Sequence, residues 1–331
     1  MAQVFRRVRA VCLALIILAG ATIAPVSQAQ GTAAAFPKKP VHFVVPFPAG
    51  GPTDVLARSV GQKLAELWGQ PVLVENKPGA GSMIGVDAAA KAEPDGYTLS
   101  MVTSSFVINP SIQPKLPYDT LKDLTGVTQL ALAQVGLLAH PSLPANNVRE
   151  LIAFAKAKPG VLSFASVGAG SSSHLPGEML KTAAGIDMVH VPYKGSGPAT
   201  LDLLNGRVQL MFDVLPAQIS NIRSGKLKLL AVASAKRLAM FPGAPTMAET
   251  VPGFEVTTLF GVVTGSGVPR DVVRKLNADI VKVLNAQDLK ERIEGLGMEP
   301  VGSTAEEFDA VIRSEIRKWS EVVKASGAKV N

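Results

Sequence analysis

Short apolar segments alternate with amphipathic segments along most of the chain. The run VHFVVPF at 41–47 is apolar and β-branched without alternation, as in a strand that is covered on both faces. Apolar residues from Leu56 to Leu67 then recur at helical spacing, and Gly69 predicts the end of that helix. The pattern continues with a strand at 72–75, a helix at 83–91 and a strand at 97–103. The N-terminal part of the fold is therefore predicted to be βαβαβ.

The middle of the chain alternates most regularly. Strands are predicted at 136–140, 162–166, 188–193, 208–214 and 227–234, with helices at 173–184, 196–205 and 216–224. Asn147 and Glu150 have the spacing of a helix N-cap, so a further helix is expected from Val148. Strict alternation of strand and helix predicts an α/β fold in which a mostly parallel sheet is flanked by helices.

The alternation breaks after Ser234. A Pro-rich loop at 241–252 precedes a strand at 256–264, and Pro269 opens an amphipathic helix. Ser303 and Glu306 have the spacing of a capping box before the last helix. The apolar positions of that helix form one stripe: Phe308, Ile312, Ile316, Trp319 and Val323.

These C-terminal elements contain too few strands to form a sheet alone, so they are expected to complete the first domain. The predicted organisation is two lobes, each with a central sheet flanked by helices. Domain 1 comprises 30–128 and 235–331, and domain 2 is an inserted lobe at 129–234. A two-strand hinge is expected near 126–131 and 229–235.

The N-terminus has the composition of an export signal. Arginines at positions 6, 7 and 9 precede an apolar run at 11–24, and Ser27 and Ala29 have the spacing that a signal peptidase reads. The run is shorter than the roughly 20 residues of a membrane-spanning helix. Residues 1–29 are predicted to be a signal peptide cleaved near Ala29, which places the mature protein in the periplasm.

Composition excludes several kinds of site. The single cysteine, Cys12, lies in the predicted signal peptide, so the mature chain has no thiol for a disulfide, a nucleophile or a metal. The chain has 33 basic and 26 acidic residues, and the three arginines of the signal peptide account for part of the excess. The remaining charges of both signs are interspersed along helices, which argues against a nucleic-acid surface.

Loops rich in glycine and hydroxyl groups follow the predicted strands. They are 46–54, 76–82, 103–105, 168–174 and 194–197, and Asp213 ends a further strand. In open parallel sheets, ligands bind beyond the carboxyl ends of the strands, where helix N-termini present free amides. Loops of this kind from two lobes predict a cleft suited to an anion that is held without a buried cation. A carboxylate is the expected ligand.

The loops resemble those of the Bug or TctC-like extracytoplasmic receptors, the binding components of tripartite tricarboxylate transporters. The resemblance covers the whole mature chain and depends on VVPFPAGGPTDVLAR (44–58), VLVENKPGAGSMIGVDAAAKAEPDGYTL (72–99), FASVGAGSSSHLPGEML (164–180), VPYKGSGPATLDLLNG (191–206) and PGAPTMAE (242–249). It implies a type II periplasmic binding protein, not an enzyme, that closes on a small carboxylate or amino acid. It also implies membrane permease subunits as partners and no cofactor, and the protein is expected to be a monomer.

The resemblance also implies which residues contact the ligand. They are Ala49, Gly50, Thr53, Ala80, Gly81, Ser104, Ser171 and Ser196. Asp213 lies where an acid at the edge of the pocket could meet a ligand ammonium, and an equally good interpretation is that it stabilises the turn after its strand. Met83 departs from the Gly or Asn that is common at its position in the family, and a narrower pocket is expected from it.

Other functions fit single features of the sequence. Gly79–Gly85 follows a strand and opens a helix, as a dinucleotide-binding GxGxxxG loop does, but a lone motif is weak. Ser171 and Ser196 are flanked by glycines, but neither has the G-x-S-x-G spacing of a hydrolase. His174 is expected to begin a helix. The other histidines (His42, His140 and His190) are expected to pack, with no metal site. A receptor that reports its ligand to a sensor protein fits the sequence as well as a transport receptor does.

Overall fold

The computed structural model describes residues 36–327, apart from the side chain of residue 326. The predicted signal peptide lies outside these residues. In the described part of the chain, no helix is both long and apolar enough to cross a membrane.

The described chain contains strands and helices in the order that the sequence predicts, with a few additions. The strands are β1 (Val41–Val45), β2 (Val72–Asn76), β3 (Thr98–Thr103), β4 (Leu124–Ala139), β5 (Ser163–Ser166), β6 (Val189–Pro192), β7 (Leu210–Val214), β8 (Lys228–Val232), β9 (Thr257–Gly265) and β10 (Met298–Pro300). The α-helices are α1 (Pro52–Trp68), α2 (Met83–Ala90), α3 (Ser104–Ile112), α4 (Val148–Ala157), α5 (His174–Ala184), α6 (Ser196–Leu204), α7 (Leu215–Arg223), α8 (Arg270–Leu284), α9 (Gln287–Gly295) and α10 (Ala305–Ser326). The α/β class with flanking helices is confirmed.

The strands form a mixed sheet, in contrast to the mostly parallel sheet predicted. Its order is β2-β1-β3-β9-β4-β7-β5-β6, and β8 and β10 also pair with β4. Strands β1, β2 and β3 are parallel, as are β5, β6 and β7. The antiparallel pairs all involve β4 or β9. The sequence prediction divided β4 into a hinge and a short strand, so it did not anticipate these long antiparallel pairings.

Strand β4 belongs to two groups of strands. Its residues from Leu124 to Gln134 pair with β9, and its residues from Val135 to Ala139 pair with β7 and β8. Each group carries three parallel strands whose carboxyl ends open into loops. Because β4 is one continuous strand that pairs first with β9 and then with β7 and β8, it links the two groups of strands and the loops that follow them. The division at 128/129 and 234/235 stays a prediction.

Two large hydrophobic cores lie on these strands. One includes Phe43, Leu56 and Leu276, and packs α1 and α8 against the sheet. The other contains Phe308 and Trp319 of α10, both fully buried. The predicted apolar stripe of the last helix is confirmed, because Ile312 is also buried and Ile316 and Val323 pack against the same core.

The capping box of the last helix lies one residue later than predicted. Thr304 Oγ1 accepts a hydrogen bond from the Glu307 amide at 3.1 Å, and Glu307 Oε2 accepts one from the Thr304 amide at 2.9 Å. Ser303 instead accepts a hydrogen bond from the Gln129 amide at 2.9 Å. The prediction of Ser303 and Glu306 is wrong because this tertiary contact, which the local sequence does not show, uses the Ser303 hydroxyl. The predicted cap of α4 by Asn147 is confirmed.

Candidate functional site

A cavity of about 820 Å³ lies where the strand-end loops of the two groups meet. Its walls come from the loop after β1, the ends of β3 and β7, and the loops after β5 and β6. Pro48 of the first loop lies beside Gly195 of the loop after β6, where a Cβ on Gly195 would be 3.3 Å from the proline ring. The two groups of loops therefore approach van der Waals contact across the cavity.

The cavity brings together five of the nine residues proposed from the sequence. They are Ala49, Gly50, Thr53, Ser196 and Asp213. Lining residues that are not among these nine include Ser172 and Ser173, which lie in the predicted loop 168–174, and Thr200 and Thr258. Thr200 lies one helical turn after Ser196 on the predicted helix, so the i, i+4 spacing was the signal that could have found it.

The other four proposed residues do not line the cavity. Ala80 and Gly81 form a tight turn before α2, in which Gly81 O accepts a hydrogen bond from Asn109 Nδ2 at 2.9 Å. Ser104 is buried and accepts a hydrogen bond from the Leu259 amide at 3.2 Å. Ser171 is within 2.9 Å of the Ser173 hydroxyl and accepts a hydrogen bond from the His174 amide. Ser171 and Ser104 therefore lie next to lining residues, whereas the turn of Ala80 and Gly81 contributes no lining residue.

Met83 also lies away from the cavity. It is partly buried and packs at the edge of the core that contains Phe308. The expectation that this residue narrows the pocket is not supported by its position.

The first loop is ordered by Asp54, which is buried behind it. Its carboxylate accepts hydrogen bonds from the Gly50 amide at 2.9 Å, from Arg58 Nε at 3.0 Å and from Asn76 Nδ2 at 2.9 Å. Burial raises the pKa of Asp54, but these hydrogen bonds, first among them that of Arg58, outweigh it and hold the pKa below its ordinary value. The Gly50 amide is thereby occupied within the protein. Other groups of this loop remain as candidate donors to a ligand.

A second buried acid, Asp213, lies at the end of β7 and borders the cavity. Its carboxylate accepts hydrogen bonds from Ser196 Oγ at 2.5 Å, from Gln218 Nε2 at 2.8 Å and from the Val214 amide at 2.9 Å. Burial is the largest influence on Asp213 and raises its pKa above the ordinary value, although the three donors favour the ionised form. Asp213 thus stabilises the turn after β7 and lies in the cavity wall, and its contact with a ligand ammonium stays a prediction.

Hydroxyls, helix N-termini and apolar side chains line the cavity. Among its described lining residues there is no Lys, Arg or His, and Asp213 is the one acid. Helices α1 and α6 begin at the cavity with glycine N-caps, Gly51 and Gly195, and neither has a capping side chain. Uncapped N-termini attract anions because their amides are free and the helix dipole is positive there. The apolar part of the wall includes Phe47, Val167, Leu201, Phe260 and Leu296.

The histidines lie outside the cavity. His174 begins α5, as predicted, and its Nδ1 accepts a hydrogen bond from the Gly170 amide at 3.1 Å. His190 is partly buried and stacks on His174. His42 and His140, by contrast, make surface contacts with Glu75 and Ser142. In the described residues, no group of three His, Cys, Asp or Glu side chains is placed to hold a metal ion.

Comparison with known proteins gives consistent matches. Residues 56–328 match the family model described as tripartite tricarboxylate transporter family receptor. The chain is 40% identical over 323 residues to Protein BugT of Bordetella pertussis, which covers 96% of this chain and 97% of BugT.

Solved structures of similar proteins include two with bound carboxylates. An R. palustris protein solved with adipate is 34% identical, with a TM-score of 0.85, and the match covers 89% of this chain and 100% of that one. MatC from Rhodopseudomonas palustris, solved with bound malate, is 33% identical, with a TM-score of 0.82, and the match covers 87% and 100% of the two chains. The predicted periplasmic binding protein fold is thereby confirmed.

Proposed function

This chain belongs to the tripartite tricarboxylate transporter family of receptors, whose members bind substrates and are not enzymes, and from that premise we propose that it is a periplasmic receptor for a small carboxylate. The ligand binds in the 820 Å³ cavity and is delivered to the membrane permease of a tripartite transporter.

The single observation that carries this proposal is the chemistry of the cavity wall. Two uncapped helix N-termini and several hydroxyls line a cavity without a cationic side chain among its described lining residues. Such a wall stabilises a carboxylate through hydrogen bonds and helix dipoles. The adipate and malate in the related structures support the same class of ligand.

A hydroxyl in the wall supports the proposal further. Thr258 on β9 lines the cavity and is only 2% exposed, and its Oγ1 has no hydrogen-bond partner among the described residues. A buried hydroxyl without a partner costs free energy, and a ligand or a water molecule in the cavity removes that cost. Thr258 is therefore a ligand contact in this proposal, together with Ala49, Thr53, Ser196 and Thr200.

Closure of the two groups of loops on the ligand is the proposed mechanism. The ligand first meets the amides of the loop after β1, and contacts from α6 are added as the lobes close. The hinge of this scheme comprises the segments near 126–131 and 229–235, and the first of them lies in β4 before its partner changes from β9 to β7. Ala80, Gly81, Ser104 and Ser171 act in this scheme by holding the loops.

A thermal-shift screen of refolded, ligand-stripped protein tests the proposal. The panel contains dicarboxylates, tricarboxylates, amino acids and aromatic carboxylates, with NAD and NADP as controls. A carboxylate that binds only the folded state raises its melting temperature, and the dinucleotides leave it unchanged. Stabilisation by NAD or NADP without any carboxylate hit would overturn the receptor function.

Delivery to a permease needs a separate test. Uptake of the labelled carboxylate into proteoliposomes that contain the permease is expected only when the loaded receptor is added. Binding without support of uptake would favour the alternative in which the receptor reports its ligand to a sensor protein.

A further inference from the structure

A buried glutamine connects two polar residues of the cavity wall. Gln218 lies on α7, is fully buried and is not itself part of the wall. Its Nε2 donates one hydrogen bond to Thr200 Oγ1 at 2.6 Å and one to Asp213 Oδ2 at 2.8 Å. Gln218 therefore acts on the cavity through Thr200 and Asp213.

The surroundings of Gln218 fix which way its amide points. Asn221 Nδ2 donates a hydrogen bond to Gln218 Oε1 at 3.0 Å. Rotating the amide by half a turn would place an oxygen next to the carboxylate oxygen of Asp213, and both atoms would be acceptors. Both N–H protons of Gln218 are therefore donated in hydrogen bonds, one to Thr200 and the other to Asp213.

This arrangement makes the Thr200 hydroxyl a donor toward the cavity. Its oxygen accepts a hydrogen bond from Gln218, and it has no other protein partner among the described residues. A threonine hydroxyl has one proton, which is then free for a group in the cavity. Thr200 therefore offers a donor to the ligand.

Ser196 has the opposite polarity. Its single proton is donated to Asp213 Oδ2 at 2.5 Å, so its oxygen is left as an acceptor. Ser196 and Thr200 lie four residues apart on α6, and both line the cavity, so they are neighbours on one helix face. A ligand thus meets one donor and one acceptor side by side.

We propose that Thr200 and Ser196, held in these roles by Gln218 and Asp213, select carboxylates that carry a hydroxyl group. A hydroxyl accepts a hydrogen bond from Thr200 and donates one to Ser196. An ammonium has no lone pair for the Thr200 proton. A second carboxylate at this point has no proton for Ser196 and lies near the carboxylate of Asp213. The selection rests on the proposed function, because it requires a carboxylate in this cavity.

Three ligands with one carbon skeleton test the selection. Malate, succinate and aspartate are four-carbon dicarboxylates that differ only in a hydroxyl, a hydrogen or an ammonium at one carbon. Calorimetric titration of the ligand-stripped protein is expected to show malate binding roughly tenfold tighter than succinate, with no advantage for aspartate. The best-bound carboxylate of the thermal-shift panel and its hydroxylated counterpart are compared in the same way.

Variants then assign the preference to the two residues. Thr200→Val and Gln218→Met are each expected to abolish the preference for the hydroxylated ligand, so that the affinities of each variant for malate and succinate differ by less than about twofold. The double variant should lose no more than either single variant, because both act on one hydrogen-bond chain. Thr200→Ser restores the hydroxyl and should retain the preference. Ser220→Ala, an exposed position on α7, is the matched control.

The possible failures are distinguishable. If the wild-type protein binds malate and succinate with equal affinity, the hydroxyl selection is refuted while the receptor function stands. The same holds if Thr200→Val weakens the binding of malate and succinate by the same factor. Binding of no carboxylate at all would refute both. If Gln218→Met fails to fold, the comparison of Thr200→Val with Thr200→Ser still decides the outcome.

Discussion

The imidazole rings of His174 and His190 stack with their centroids 3.8 Å apart beneath the loop that follows β5. Phe164 stacks on His190 at 5.0 Å. Burial lowers the pKa of His174 to about 4 and that of His190 to about 3. Repulsion from the neighbouring His174 ring lowers the pKa of His190 further. His190 Nε2 lies 2.7 Å from Ser166 Oγ. Two uncharged rings therefore support a loop of the cavity.

The lowered pKa values of His174 and His190 predict that the free energy of unfolding falls as the pH decreases below neutrality. In the unfolded chain a histidine takes up a proton near pH 6.5, but in the folded protein these two do so only near pH 4 and 3. The unfolded state thus binds more protons in this window, so acidification favours unfolding. Urea unfolding between pH 7.5 and 4.5 should show a free energy of unfolding that falls by up to about 1.4 kcal/mol per pH unit for each ring.

Single variants separate the pair from the other titrating groups. His174→Asn should reduce the pH dependence between pH 6.5 and 4.5. Ser220→Ala, at an exposed position without a titrating side chain, should leave the pH dependence unchanged. The same slope in His174→Asn as in the wild type would contradict the assignment.

Asp54 is predicted to stabilise both the fold and the ligand loop. Asp54→Asn replaces an acceptor of three hydrogen bonds by an amide that cannot accept them all, and it leaves Arg58 without its ion pair. The variant should lose about 1–3 kcal/mol of unfolding free energy and bind the ligand more weakly. Denaturant unfolding and calorimetry measure the two effects. Glu66→Gln on the exposed side of α1 is the control, and a similar loss there would argue against a specific role.

Gly261 lies on β9 where the ring of Phe308 packs against the strand. A Cβ at position 261 would lie 2.2 Å from Phe308 Cζ, much less than a van der Waals contact. Gly261→Ala is therefore expected to displace Phe308 in the core and cost about 1–3 kcal/mol in thermal or urea unfolding. Gly243→Ala, where a Cβ would meet nothing within 4 Å, should be close to neutral.

The shifted capping box gives a direct test of the α10 N-terminus. Thr304→Ala removes the acceptor for the Glu307 amide and should lower the free energy of unfolding by about 1 kcal/mol. Glu306→Gln, which alters the residue expected from the sequence, should change it by less than about 0.5 kcal/mol. A larger effect at Glu306 than at Thr304 in urea unfolding would contradict the assignment.

The hydrophobic pattern predicted most elements because each depends on local spacing. Helix α6, predicted at 196–205, is observed at Ser196–Leu204, and the predicted strand at 256–264 is β9 at Thr257–Gly265. Helix α3 was missed because its residues follow β3 without a turn and include Pro110, which sequence rules disfavour inside a helix. The direction of β4 was missed because it depends on long-range pairing with β9.

The candidate site was predicted at the level of loops and only in part at the level of side chains. Four of the five predicted loops contribute to the cavity wall, as the topology of parallel strands leads one to expect, whereas the loop at 76–82 contributes no lining residue. Which hydroxyl faces the cavity depends on packing, however. Ser104 bonds to the backbone of β9, while its neighbour Ser105 lines the cavity. Gln218 gave no signal because it lies behind the wall and acts through Thr200 on α6 and Asp213 at the end of β7.

Thr258 permits ligand contact to be separated from structural support. Thr258→Val keeps the shape of the side chain and removes a buried hydroxyl that has no partner among the described residues. The ligand-free variant should therefore be as stable as the wild type or more stable, while its affinity for the carboxylate falls by roughly fivefold to tenfold, because the ligand loses a hydrogen bond. Thr257→Val, the adjacent residue on the opposite face of β9, should leave affinity unchanged. Unfolding and calorimetric titration of the same samples decide the matter. A variant with normal affinity would show that water, and not the ligand, satisfies this hydroxyl.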